Sequence, residues 1–146
     1  MIIVLDTNVV LQALNQRHPT AVILHAWYSG RFVWALSTDI LMEYQEVIVR
    51  QSGPARWQTL GRLLDLAVVH GHNTQRVSPA FFFRTISADR DGDKFADCAI
   101  AAHADFIITC DKHLTFLSAA VLNPSPSRQR SLSFSISQPR KAMLKP

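Results

Sequence analysis

Cysteine is scarce in this chain of 146 residues: Cys98 and Cys110 are its two thiols. Two cysteines cannot build a disulfide scaffold, and a reducing cytoplasm is the expected compartment. Long apolar runs are lacking too. The first, Met1 to Leu5, ends at once in Asp6, which fits neither a secretory leader nor the roughly 20 residues of a membrane span. Glycine numbers 5. There is no Gly-rich phosphate loop closed by Lys-Ser/Thr and no Gly-x-Ser-x-Gly elbow, so neither a phosphate-loop nucleotide site nor a serine-hydrolase nucleophile is expected. These shortages exclude a secreted disulfide protein, a membrane protein and a large multidomain enzyme.

What is present is an ordinary globular composition, 48% apolar and 18% charged, at a length that buries one core. The net charge of +4 is unevenly placed. From Asn123 to Pro146 there are five basic residues (Arg128, Arg130, Arg140, Lys141 and Lys145) and no acid. The preceding 122 residues hold ten Lys and Arg against eleven Asp and Glu, a balance of −1. The expected division is therefore a near-neutral domain over 1–122 and a basic Ser/Pro-rich tail over 123–146. In that tail Leu132, Phe134 and Ile136 alternate with serine, as in an edge strand; disorder is the alternative.

Within the domain, Met1–Leu5, Phe32–Leu36 and Phe106–Thr109 are short apolar runs of the kind that form strands buried on both faces. Helical stretches separate them. One follows Asp6, a second opens at Pro19, a third is capped by Ser37 and ends near Gly53, a fourth starts at Pro54 and reaches about Val69, and a fifth starts near Asp91. His70 to Pro79 reads as a connection, residues 81–86 as a short strand or a helical turn, and Leu114 to Leu117 as a short helix. The alternation predicts an α/β chain: three layers, α/β/α, around a mainly parallel sheet. Ligands of such folds collect beyond the carboxyl ends of the strands.

The acids stand where that rule directs attention. Asp6 follows the first strand, in Asp6-Thr7-Asn8. It is either the N-cap of the next helix or a metal ligand, and both readings stand. Asp111 repeats the arrangement after Phe106–Thr109 and Cys110. Asp93 and Asp97 are four apart on one predicted helix and share a face, as solvated charge or as a pair that a cation relieves. The alternation of Asp89, Asp91 and Asp93 lacks the Gly placement and closing Glu of a calcium loop. Glu46 is placed to pair with Arg50 at i,i+4 on the surface, whereas Glu43 has no basic residue one turn away and is the more functional of the two. Cys98 and His103, five apart on a helix, point to different sides, so a zinc site with Cys110 and His113 is not supported. Cys98 reads as core. A receiver-type phosphotransfer domain would share the sheet and the acids, but no phospho-acceptor Asp with a matching downstream Lys is well placed.

Asp6-Thr7-Asn8 after the first strand, Glu43 in the helix after the second, Asp93 opening an Ala-rich helix, and Thr109-Cys110-Asp111-Lys112-His113-Leu114 together resemble the PIN domain, in particular the VapC-type toxins of toxin–antitoxin pairs. The likeness spans about residues 1–122. It implies a Mg²⁺- or Mn²⁺-dependent ribonuclease acting on RNA phosphodiesters, commonly a homodimer and inhibited by an antitoxin protein. By position, Asp6, Glu43, Asp93 and Asp111 match the acidic quartet, Asp97 a further acidic position, and Thr7, Asn8 and Thr109 the residues that support the acids. Hard carboxylate oxygens suit Mg²⁺ or Mn²⁺. Arg90, Lys94, Lys112 and His113 flank the acids and are candidate phosphate contacts, or simply solvated charges. His113 departs from the pattern, because many members carry another acid there. A non-catalytic PIN-like module that binds RNA or a protein is the alternative.

Overall fold

A computed structural model describes residues 1–70, 73–79 and 90–110, the last stretch with side chains from Lys94 onward. The readings for 81–86, for 114–117 and for the 123–146 tail lie outside the described residues.

The chain runs β1 (Ile2–Leu5), α1 (Thr7–Ala13), a 3-10 turn (Pro19–Ala21), α2 (Val22–Tyr28), β2 (Val33–Leu36), α3 (Thr38–Ser52), α4 (Pro54–Val69), β3 (Thr74–Arg76), α5 (Arg90–Ala102) and β4 (Phe106–Ile108). The four strands form one sheet in the order β3-β2-β1-β4, and every pairing is parallel. In β1, Ile3, Val4 and Leu5 are all buried. Successive strand residues point to opposite faces, so both faces of the sheet are covered and the expected three-layer α/β/α arrangement is present. The core centres on Trp34 of β2. Trp27 meets it edge-on, with ring centroids 5.2 Å apart at 88°, and the Tyr44 ring lies 6.0 Å away, tilted by 45°. Such aromatic pairs contribute about 0.5–1.5 kcal/mol beyond the area they bury.

Local signals set the helix limits. Ser37 Oγ accepts from the Ile40 amide at 3.3 Å and starts α3. Gly53, at φ +83°, ends it in a backbone conformation that other residues rarely adopt, and Pro54 opens α4 directly. The expected Glu46–Arg50 pair forms at 3.3 Å on the exposed side of α3.

Two expectations need correction. The connection expected over His70–Pro79 contains β3, which pairs with β2 from Trp34↔Thr74 to Leu36↔Arg76. Its sequence, Thr-Gln-Arg, carries no apolar signal because β3 is a short edge strand held by backbone bonds. Phe106–Thr109 was expected to be a strand buried on both faces. It is a strand only through Ile108, and Phe106 is 40% exposed. Among the described residues β4 is the outer strand beside β1, which leaves its first side chain less covered.

Candidate active site

The sheet order reverses between β1 and β4, because the chain moves from β1 to β2 on one side and reaches β4 on the other. The carboxyl ends of these two strands therefore bound the crevice where open α/β sheets bind ligands. Asp6 leaves β1 there and Thr109 leaves β4. The Asp6 amide donates to the Ile108 carbonyl at 2.9 Å, and Thr109 Oγ1 donates to Asp6 Oδ2 at 2.8 Å across the crevice.

Asp6 occupies the N-cap position of α1, yet its side chain makes no capping hydrogen bond. It is 6% exposed. Desolvation by burial pushes its pKa above the ordinary carboxylate value. The Thr109 hydroxyl and the backbone N–H groups of Thr7 and Asn8 pull it back down, and the charge of Glu43 raises it further. Among the described residues no cation contributes to the Asp6 pKa, and a bound cation would lower it.

Glu43 reaches the same crevice from α3. Thr7 Oγ1 donates to Glu43 Oε1, and the Lys94 ammonium of α5 pairs with Glu43 Oε2. Thr7 is buried, so this hydroxyl couples the start of α1 to the middle of α3. Asp97, three residues after Lys94 on α5, is 4% exposed. Helix α5 packs over β1, β2 and β4.

The structure thus brings together Asp6, Thr7, Glu43 and Thr109 as directly bonded neighbours, and it adds Lys94. Asn8 contributes its backbone amide, and its side chain is exposed. The side chains of Arg90 and Asp93 lie outside the described residues, as do Asp111, Lys112 and His113. Among the described residues no three His, Cys, Asp or Glu side chains lie together as a metal cluster. Two of the four acids of the quartet contribute no described side chain to such a cluster. The described donors still fit a hard divalent cation in kind: carboxylate oxygens on Asp6 and Glu43, steadied by hydroxyls.

Three features were missed in the sequence. Tyr44 is fully buried, and its hydroxyl donates to the carbonyl of Leu5, the residue before Asp6. Gln12 Oε1 receives the Thr20 hydroxyl at 3.4 Å and the Cys110 thiol at 3.6 Å, so α1 is tied to the segment after β4. The third is the partner of Lys94: expected as a phosphate contact or a solvated charge, it pairs with Glu43. Cys98 is core, as expected: it is fully buried and its pKa is pushed up to about 12 by desolvation. Among the described residues no helix is long and apolar enough to cross a membrane.

A three-layer arrangement with a parallel sheet and a buried carboxylate at the switch point defines an open α/β protein with a crevice-type ligand site. The sequence matches the PIN domain family over residues 2–113. That is well over half of the chain, and the chain belongs to this family. PIN domains are nuclease-type domains that typically use divalent metals. No curated protein and no solved structure matches the chain.

Proposed function

We propose that this PIN domain is a Mg²⁺- or Mn²⁺-dependent endoribonuclease and the toxin of a toxin–antitoxin pair. The observation that carries the enzymatic reading is Asp6: a buried carboxylate at the carboxyl end of the central strand, under-compensated and one threonine away from a second carboxylate. A module that only binds RNA or protein has no use for two desolvated acids held this way.

Asp6, Glu43, Asp93 and Asp111, with Asp97, would hold the metal. When bound, it supplies an acidified water aligned with the phosphodiester and charge stabilisation for the leaving oxygen. The chain's own residues prepare for this. Thr109 fixes the rotation of the Asp6 carboxylate, and Thr7 fixes that of Glu43. The Asp6 amide bond to β4 prevents the two strand ends from parting. Arg90, Lys94, Lys112 and His113, which flank the acids in sequence, would meet the phosphates of the strand. The partners under this reading are RNA, an antitoxin protein and a second copy of the chain.

The test is cleavage of a mixed RNA substrate with Mn²⁺, with EDTA, and by Asp6→Asn. Cleavage that requires Mn²⁺ and falls at least about 100-fold in Asp6→Asn is expected. Undiminished cleavage in EDTA would overturn the reading, and RNA binding without turnover would identify a non-catalytic module. Co-purification with a small DNA-binding protein encoded beside it tests the toxin assignment.

A further inference from the structure

We propose that the Lys94 ammonium is the internal counter-ion of this site, and that it competes with a divalent cation for Glu43. This rests on the metal-dependent reading above and assigns Lys94 a role in setting metal affinity.

The argument starts from the two oxygens of Glu43. Oε1 is taken by the buried Thr7 hydroxyl, which donates a hydrogen bond and cannot neutralise charge. Oε2 faces the Lys94 ammonium. The two side chains are 25% and 17% exposed, so this is a half-buried pair joining α5 to α3 and not a solvated surface contact. The surface pair of the same helix, Arg50–Glu46, is 63% and 73% exposed. A pair on the surface contributes little, whereas a desolvated carboxylate needs its counter-charge. In sequence Lys94 stands between Asp93 and Asp97 on α5. A lysine suits the role chemically: its ammonium is a compact point charge on a flexible stem, able to leave for solvent as a cation arrives.

A divalent cation at Glu43 Oε2 would meet the Lys94 ammonium at contact range, where the two like charges repel. The Lys94 pair therefore competes with the metal, and the chain's apparent metal affinity is lower than its carboxylates alone would give. Binding that competes with an internal contact is weakened by the population of that contact.

The experiment is calorimetric titration of the full chain with Mn²⁺, for the unsubstituted protein, Lys94→Met, Lys94→Arg and Asp6→Asn, with melting curves in EDTA and in Mn²⁺. Lys94→Met is expected to bind Mn²⁺ about tenfold more tightly, because one like charge is removed at contact range. It is also expected to melt lower in EDTA and to gain more from Mn²⁺ than the unsubstituted protein. Lys94→Arg, which keeps the charge, is expected to bind no more tightly than the unsubstituted protein. If Lys94→Met does not fold in EDTA, Lys94→Gln carries the same expectation. Equal or weaker Mn²⁺ binding by the folded Met or Gln variant overturns the proposal. If the unsubstituted protein binds Mn²⁺ and Asp6→Asn does not, that outcome leaves the metal-dependent reading standing. Failure of every form to bind Mn²⁺ overturns both.

Discussion

Replacing Tyr44 by Phe removes one oxygen from the fully buried side chain that joins α3 to the end of β1. The ring remains against Trp34, so the change in packing is small. The loss is the hydrogen bond to the Leu5 carbonyl. Leaving a buried polar group without a partner costs about 1–3 kcal/mol. For a chain of 146 residues, each kcal/mol moves the melting temperature by roughly 2–5 °C. Urea unfolding at neutral pH checks this: the midpoint is expected to fall with the slope unchanged. A second readout tests burial directly. Desolvation pushes the Tyr44 pKa well above 10.0, its value in the unfolded chain. Above pH 10 the unfolded chain releases this proton while the folded chain retains it. Stability contributed by the neutral phenol is thus complete below pH 10 and declines above it, by about 1.4 kcal/mol per pH unit. Phe has no proton to lose. The difference between the two proteins is therefore expected to shrink as pH rises past 10. A Tyr44→Phe protein within 0.5 kcal/mol of the parent at neutral pH, or a difference that stays constant to pH 11, would refute the assigned bond and burial.

Other perturbations have equally definite outcomes. Asp6→Asn removes a carboxylate whose pKa is raised in the fold. The parent loses stability as pH rises from 3.8 through the folded value, so in EDTA the variant is expected to be the more stable protein at neutral pH and to lose this advantage in acid; denaturant curves across pH decide it. Thr109→Val deletes the strongest contribution lowering the Asp6 pKa. An NMR titration of the Asp6 carboxyl in EDTA is expected to move upward, and an unchanged titration would remove Thr109 from its supporting role. Thiol labelling of the native protein is expected to modify Cys110, which is exposed, and to spare Cys98, which is buried with a pKa pushed to about 12. Labelling of both at equal rates would contradict the core assignment. Deleting the chain after about Asn123 is expected to weaken RNA or partner binding while leaving Mn²⁺ affinity unchanged, which titrations of the truncated protein with each ligand can check.

The sequence by itself determined the elements whose signals are local. Consecutive β-branched and aromatic residues specify β1 and β2, because a strand covered on both faces is apolar at every position. Ser37, Gly53 and Pro54 specify the ends of α3 and α4, because capping and backbone freedom belong to single residues. Asp6, directly after the apolar run of β1, pointed to the carboxyl end of the central strand. Tertiary structure decided everything that depends on distant partners. The polar strand β3 exists because the edge of β2 offers backbone bonds, which no side-chain pattern encodes. For Asp6 the partner that only the fold supplies is Thr109, 103 positions away in the chain. Glu43 had no local counter-charge in α3. The charge comes from Lys94, 51 positions further along the chain, and only the packing of α5 over the sheet brings the two together. Local spacing can show that a carboxylate needs a partner; which cation meets it is set by how the layers stack.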